Sequence, residues 1–235
     1  MLCLLVCRIG ANIGVKSQFI TALKFPLLTI SSMKDRLKLK RITYGRVAMS
    51  AIPDFEIGLW NAWILILPLF LVPAIMSSIK KGLFKKTESV VSLSTRERRA
   101  FVLPKVVLIL VFLYSIFLLL ELGSIGFYIG FPISLLGIAL YIIVSVNIAN
   151  TPVDRPVTKG IYRYSRHPMY MASITALVGV GISSASWLFL LFSILFAVIH
   201  LMNGIFEERL CLEAYNSVYQ GYLDRTPRWI GIPKS

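Results

Sequence analysis

Two short stretches of this sequence carry residue types that can bind and orient a charged small molecule. The first, residues 160–170, packs two arginines and one of the chain's two histidines against Pro168, where a long apolar run begins. About one membrane-spanning helix later, Glu207 and Glu208 stand where another apolar run ends. Cationic side chains at one helix end and carboxylates at its neighbour suit a small zwitterion, because charged hydrogen bonds are strong in such places. We therefore expect the two stretches to form one site.

Pro168 predicts the start of a helix, because a proline at the first helical position lacks only an N–H that would be unpaired there. The first turn of a helix offers free N–H groups and positive dipole character to a carboxylate or phosphate. Arg166 adds a charged donor, and His167 adds a group that titrates near neutral pH. A purely structural alternative is that Arg163 and Arg166 anchor the chain at the membrane interface while His167 caps the helix.

Glu207 is expected to be functional, because a carboxylate at the edge of the hydrocarbon region is costly. His200, Asn203 and Glu207 are spaced three and four residues apart and so share one helical face. For His200 alone we expect a packing or helix–helix hydrogen-bonding role. Further on, three tyrosines repeat at four- and three-residue spacing, which favours anchoring at the membrane interface over a lid on the site: Tyr215, Tyr219 and Tyr222.

Composition places these stretches in a membrane protein. Of 235 residues 57% are hydrophobic and only 15% charged, and several apolar runs approach or exceed the roughly 18 residues that indicate a transmembrane helix. The sequence predicts an all-α polytopic bundle of about five transmembrane helices followed by a C-terminal amphipathic helix. The predicted spans lie near residues 56–78, 101–122, 125–147, from 168 to the turn at 181–186, and 187–205.

The net charge of +14 is explained by Lys and Arg retained on the cytoplasmic side, which excludes nucleic acid as the expected partner. Basic residues concentrate at 79–100, at 150–167 and in the C-terminal tail, so both candidate stretches are predicted to face the cytoplasm. The basic residues of 1–48 contradict this topology. We therefore expect 1–48 to be an extension, with a native start at Met49 and one integral-membrane domain from 49 to 235.

Other chemistries lack the residues they need. Cys3, Cys7 and Cys211 have no metal-ligand spacing with either histidine, so neither a metal site nor a disulfide framework is expected. No glycine-rich phosphate loop is present, and no serine, histidine and aspartate are arranged for nucleophilic catalysis.

Residues 157–170, Val-Thr-Lys-Gly-Ile-Tyr-Arg-Tyr-Ser-Arg-His-Pro-Met-Tyr, resemble the signature of integral-membrane methyltransferases. These comprise the isoprenylcysteine carboxyl methyltransferases with their bacterial and archaeal relatives, and the phospholipid N-methyltransferases. Residues 207–210, the three tyrosines and Arg225-Thr226-Pro227 resemble the C-terminal half of the same proteins, so the likeness covers about residues 147–230. It implies S-adenosylmethionine as cofactor, bound at the cytoplasmic ends of the last two spans.

Carried over by position, the resemblance implies a set of cofactor contacts and a set of catalytic residues. The cofactor contacts would be Asn147, Asp154, Arg155, Pro156, Val157, Tyr162, Arg166, His167, Pro168, Met169, Tyr170 and Glu207. The catalytic set would be His167, Glu208 and Asn203, with His167 or Glu208 as base for an amine acceptor. The chain departs from the carboxyl methyltransferases at Asp154, where they often have histidine, and from the eukaryotic enzymes at Asn203, where they have arginine.

The resemblance implies methyl transfer to a lipid-like or prenylated acceptor, with carboxyl O-methylation of an isoprenylcysteine-like substrate as the leading expectation. Phospholipid amine N-methylation is the alternative, because the departure at Asn203 bears on recognition of the substrate carboxylate. Two further readings stay open: a sterol-reductase-like enzyme that uses a nicotinamide cofactor, and a non-catalytic membrane protein.

Overall fold

The computed structural model of the protein describes residues 58, 61–79, 95–152 and 155–234. These residues form five α-helices: α1 (Trp63–Ile79), α2 (Thr95–Ile116), α3 (Ile125–Ala149), α4 (Pro168–Ser183) and α5 (Trp187–Arg225), with a 3-10 helix at Gly160–Arg163. The predicted all-α membrane bundle is confirmed. The expected extension at 1–48 and the boundary at Met49 lie outside the described residues, so that division of the chain stays a prediction.

Within the described ranges, three helical segments are long and apolar enough to cross a membrane: Arg98–Ile116, Ile125–Ala149 and Trp187–Arg225. The other two helices, α1 and α4, are apolar but have 17 and 16 residues. At 1.5 Å per residue, 16 residues rise only about 24 Å, short of the roughly 30 Å hydrocarbon layer. Large apolar side chains stay exposed on the outer faces, such as Leu136 and Leu191, as a lipid-facing surface requires.

The second predicted span is shorter than expected because the residues just before α1 pair with the chain at its end. We predicted a helix to about residue 122, but α2 ends at Ile116. The Asn61 side-chain amide donates to the Ile116 carbonyl (2.6 Å), and the Ala62 N–H donates to the Leu118 carbonyl (2.8 Å). An apolar run does not reveal this change, because a buried extended segment has the same composition as a helix.

The predicted separate tail helix is instead the outer half of α5. This helix has 39 residues, of which the 29 from 187 to 215 are uninterrupted and rise about 44 Å at 1.5 Å per residue, more than the roughly 30 Å of the hydrocarbon layer. Its backbone departs from helical angles at Asn216 (φ 46°, ψ −128°). The carboxylates at 207 and 208 therefore sit on a continuous helix that extends beyond the bilayer, which fixes their direction relative to the span.

Small residues set the position of α4 against α3. A Cβ added at Gly137 would lie 2.7 Å from the Ala176 Cα and 2.8 Å from the Ala172 carbonyl oxygen. One added at Gly179 would lie 2.7 Å from the Gly130 carbonyl oxygen. The two backbones are thus in direct contact, the close approach that small residues permit between membrane helices. This contact holds the first turn of α4 in place.

Candidate functional site

The helix α4 begins at Pro168, as the sequence predicts. His167 occupies the N-cap position, but its side chain makes no capping hydrogen bond. Its backbone N–H donates instead to Ser165 Oγ (3.1 Å). The capping interpretation of His167 is therefore wrong, and its imidazole is free to reach across to α5.

The imidazole of His167 lies between the two adjacent carboxylates of α5. Its Nε2 is 3.1 Å from Glu208 Oε1, and its Nδ1 is 3.5 Å from Glu207 Oε2. Burial lowers the pKa of His167, but the hydrogen bonds and negative charges of Glu207 and Glu208 outweigh burial and raise that pKa to about 9. At neutral pH the ring is therefore an imidazolium shared by two carboxylates.

Glu208 is the enclosed carboxylate of the pair. Its side chain is 7% exposed and is bound from two further directions. Arg166 Nη1 lies 3.2 Å from its Oε1, while Arg228 donates through Nη2 to Oε2 (2.7 Å) and through Nε to Oε1 (3.0 Å). Three cationic groups thus surround one carboxylate, which balances the free energy lost on burying it.

Glu207 is the open carboxylate. Its side chain is 29% exposed, and its closest partner is the Tyr170 hydroxyl, which donates to Oε2 at 2.5 Å. The Tyr170 ring stacks against His167 on one side (centroids 5.4 Å apart) and His200 on the other (4.3 Å). A negative charge that is oriented but only partly neutralised can receive a cationic ligand.

The remaining polar residues of α5 tie the cluster to the bundle. The Asn203 amide donates to the Ala100 carbonyl (2.8 Å), which brings the start of α2 beside the cluster. His200 is 1% exposed and packs on Tyr170 and Phe196, so the packing role predicted for it is confirmed. Both its ring nitrogens have no hydrogen-bond partner among the described residues, which leaves the alternative of a helix–helix hydrogen bond without support there.

The His167 imidazolium, the two carboxylates and the Arg166 guanidinium lie in a stretch that matches a known family. The model of the phospholipid methyltransferase family matches residues 100–218, just over half of the chain. The chain belongs to the phospholipid methyltransferase family. No curated protein matches the sequence.

Membership of the phospholipid methyltransferase family confirms the resemblance on which the site was predicted and makes the protein a membrane methyltransferase. The matched region runs from the start of α2 into the outer half of α5. It contains Arg166, His167, Tyr170 and both glutamates, and it ends before Arg228.

The other predicted contacts of this methyltransferase that the structure describes lie in the loop before the 3-10 helix, in the 3-10 helix itself, in α3 and in the first turn of α4. Arg155 is exposed, while Pro156 and Val157 are half-buried in the loop before the 3-10 helix, and the cluster contacts described above involve none of the three. Asp154 lies outside the described residues. Pro168 and Met169 are buried in the first turn of α4.

Asn147 lies in the last turns of α3, and Tyr162 lies in the 3-10 helix. Asn147 packs against Gly160, where φ is +65° and an added Cβ would overlap its amide. The Asn147 Nδ2 is buried without a hydrogen-bond partner in the described part of the chain. The Tyr162 carbonyl accepts a hydrogen bond from the Tyr222 hydroxyl (2.7 Å).

The interfacial role predicted for the tyrosine stripe is wrong for Tyr219 and Tyr222. Each is 5% exposed, and the Tyr222 hydroxyl donates to the Tyr162 carbonyl, so both rings are inside the protein. The sequence analysis also missed Arg228 and Trp229, whose ring lies 5.4 Å from that of His167. One signal was available: two adjacent carboxylates at an apolar boundary need more than one cation nearby, and Arg228 is a basic residue of the tail.

Proposed function

We propose that this methyltransferase transfers a methyl group from S-adenosylmethionine to a lipid-like acceptor at the cytoplasmic membrane face. The single observation that carries the proposal is the His167 imidazolium held between Glu207 and Glu208 where α4 begins and α5 leaves the bilayer. Family membership supports methyl transfer as the reaction, and the position of the cluster supports an acceptor that reaches it from the lipid.

The residues present fit the proposed cofactor. Two buried donors, Asn147 Nδ2 and Arg166 Nε, have no hydrogen-bond partner among the described residues, and S-adenosylmethionine offers a carboxylate, hydroxyls and ring nitrogens as acceptors. Glu207 is the partly exposed carboxylate that complements a cation. When bound, S-adenosylmethionine supplies a methyl group made electrophilic by a positively charged sulfur.

Each side chain of the cluster then has a distinct task. Glu207, oriented by the Tyr170 hydroxyl, receives the cationic groups of the cofactor. Arg166 and the first turn of α4 provide the positive end suited to its carboxylate. The protonated His167 directs one N–H at each carboxylate and so reduces the repulsion between them. The apolar side chains of α4 and α5 exclude water from the reacting groups. Asn147, Pro156, Val157 and Tyr162 remain the proposed contacts for the adenosine end.

A carboxylate acceptor of the isoprenylcysteine type agrees best with the state of these groups. Such an acceptor arrives ionised and needs no base, whereas an amine must lose a proton before it attacks. His167 already carries its proton at neutral pH because its pKa is about 9, and Glu208 is surrounded by cations. Phospholipid amine N-methylation is the second candidate, favoured by the description of the matching family.

The cytoplasmic orientation rests on the distribution of charge. Near the cluster the described residues carry many basic side chains, among them Arg98, Arg99, Lys159, Arg163 and Arg209, whereas the turns at 117–124 and 184–186 at the other end contain no Lys or Arg. Such asymmetry is the usual determinant of topology. With the native cysteines replaced, a single cysteine at Lys159 should label from the cytoplasmic side of sealed vesicles, and one at Glu121, an exposed residue of the turn at the other end, from the opposite side. Labelling of the cysteine at 159 from the non-cytoplasmic side would contradict the orientation.

Calorimetric titration of S-adenosylmethionine into detergent-purified protein tests the cofactor. Binding in the parent should be lost or greatly weakened in Glu207→Gln and His167→Ala, because both remove charge from the cluster. Glu213→Gln is the matched control, since Glu213 lies on the same helix, half exposed, and pairs only with Arg209 in the described contacts. Absence of binding to folded parent protein would overturn the proposal, and binding of NADPH instead would favour the reductase reading.

The acceptor is tested by the chemical stability of the transferred group. Protein incubated with methyl-labelled S-adenosylmethionine and either a prenylated thioether acid or a phosphatidylethanolamine vesicle should label the acid. A carboxyl methyl ester releases labelled methanol in mild alkali, whereas an N-methyl group stays attached. Alkali-stable label in the phospholipid would replace the leading acceptor with the second candidate.

A further inference from the structure

The last nine described residues, 226–234, fold back over the cluster and form what we call the C-terminal strap. It begins where the Thr226 N–H donates to the Tyr222 carbonyl (3.0 Å) and closes where the Lys234 N–H donates to the Arg225 carbonyl (2.8 Å). The Arg166 N–H donates to the Pro227 carbonyl (3.1 Å) and the Gly231 N–H donates to the Tyr164 carbonyl (3.0 Å). The strap is therefore pinned to the segment that leads into α4.

Two side chains of the strap reach the cluster. Arg228 binds both oxygens of Glu208, at 2.7 Å and 3.0 Å. The Trp229 ring lies 5.4 Å from the His167 ring and fits against Gly204 of α5, where an added Cβ would approach Trp229 to 3.1 Å and His167 Nε2 to 3.2 Å. The absence of a side chain at Gly204 thus makes room for both rings.

The imidazole of His167 is therefore held by two aromatic rings and two carboxylates. Tyr170 stacks nearly parallel to it (interplanar angle 5°), and Trp229 lies against it at 42°. Glu207 and Glu208 take the two ring nitrogens. Arg228 partly neutralises Glu208, so the attraction between Glu208 and the imidazolium is weaker than it would be without Arg228. The ring therefore keeps Nδ1 directed at Glu207.

We propose that Arg228 and Trp229 are positioning residues of the site, which hold His167 between the two carboxylates and so orient Glu207 for its ligand. Both lie beyond residue 218, where the family match ends. This inference rests on the proposed function for its effect on cofactor binding, whereas its effect on the titration of His167 needs no ligand.

The first test is the titration of His167 followed by NMR in full-length, ¹³C-histidine-labelled protein without ligand; the spectrum of His167→Gln assigns the signal. In Arg228→Gln the midpoint should rise above that of the parent by about half a unit or more, because a nearby positive charge is lost while Glu208 stays ionised. Arg228→Lys should restore part of the shift, since lysine supplies the charge without the bidentate fork. Lys234→Gln removes one charge from the exposed end of the same strap and should leave the midpoint unchanged.

The second test is the affinity of the same proteins for S-adenosylmethionine. Arg228→Gln should bind roughly tenfold more weakly, the loss of about one charge-assisted hydrogen bond, and Trp229→Phe about threefold more weakly, with Lys234→Gln equal to the parent. A parent-like midpoint together with parent-like affinity in Arg228→Gln would overturn the inference. So would a midpoint that falls toward 6.5, because that is the value of an imidazole released into water and would mean that the strap only supports the fold.

Two further outcomes, a variant that does not fold and a parent protein that does not bind the cofactor, are interpreted as follows. If Arg228→Gln does not fold, Arg228→Lys and Trp229→Phe are measured in its place. A parent-like affinity and a parent-like titration midpoint of His167 in both variants would overturn the inference. If the folded parent binds no S-adenosylmethionine, the proposed function fails, while the titration of His167 in the Arg228 variants still decides the role of the strap.

Discussion

The two contacts that hold α4 in place, one with α3 and one with α5, are built on opposite principles. Against α3 the backbones touch through Gly130, Gly137 and Gly179, and shape alone fixes the distance. Against α5, at the N-terminal end of α4, the contact is a network of charges centred on His167. A larger side chain would therefore disrupt the contact with α3, whereas the contact with α5 would be disrupted by removing a charge. A membrane enzyme can thus keep a rigid frame while one end of a helix remains open to a ligand.

The largest expected effect comes from breaking the steric contact. Gly137→Ala places a Cβ 2.7 Å from the Ala176 Cα and 2.8 Å from the Ala172 carbonyl oxygen, and backbone atoms cannot move aside as a side chain would. We expect a loss of roughly 3 kcal/mol or more, seen as reduced folded yield and a lower thermal midpoint in detergent.

Gly221→Ala is the matched control for that change. An added Cβ at Gly221 would meet nothing within 4 Å, and alanine is the better helix former by about 1 kcal/mol. This variant should match or exceed the parent in thermal midpoint. Equal stability of the two alanine variants would show that α3 and α4 do not rely on close backbone contact.

The next effect is the pH dependence of the polar contact. The pKa of His167 is about 9 in the fold and about 6.5 in an unfolded chain, so the folded state holds the proton more tightly. The resulting stabilisation is complete below pH 6.5 and is lost as the pH rises through 9, a change of about 3 kcal/mol. Thermal midpoints should fall across this window in the parent and stay flatter in His167→Gln. An equal slope in both proteins would contradict the assignment.

The two carboxylates should separate stability from binding. Glu208→Gln leaves Arg166 and Arg228 without their common partner and should cost roughly 2 kcal/mol, less than a fully buried pair because Arg228 is 40% exposed. Glu207→Gln keeps an acceptor for the Tyr170 hydroxyl and should cost under about 1 kcal/mol. Of the two variants, Glu208→Gln should show the larger fall in thermal midpoint, and Glu207→Gln should show the larger loss of affinity for S-adenosylmethionine. Identical profiles would make the distinction between them untenable.

A small effect, close to that of Glu207→Gln, is expected for Tyr170→Phe. The ring keeps its stacking on His167 and His200, and only the hydrogen bond to Glu207 is lost. A destabilisation of about 1 kcal/mol is expected, together with weaker binding because Glu207 is less well oriented. Tyr128→Phe, on the exposed outer face of α3, controls for loss of a hydroxyl and should change neither quantity.

The sequence predicted the fold class and the central part of the site, and it failed where the chain turns back on itself. Pro168 marked the start of α4, and the spacing from 200 to 207 placed His200, Asn203 and Glu207 on one helical face, because helical periodicity is local information. The end of α2 at Ile116 and the burial of Tyr219 and Tyr222 were missed. Those outcomes depend on partners more than forty residues away, such as Asn61 for Ile116.

By itself, then, the sequence determined that the chain is a helical membrane protein with cations just before the start of one helix and carboxylates where the apolar part of the next helix ends. Apolar run length, proline position and helical spacing are properties of neighbouring residues, and they suffice for that. Only the tertiary structure decided that Glu208 is enclosed while Glu207 stays open, and that Arg228 and Trp229 complete the surroundings of His167. Adjacent carboxylates are chemically identical in sequence, and they become different only when folding brings unequal numbers of cations to each.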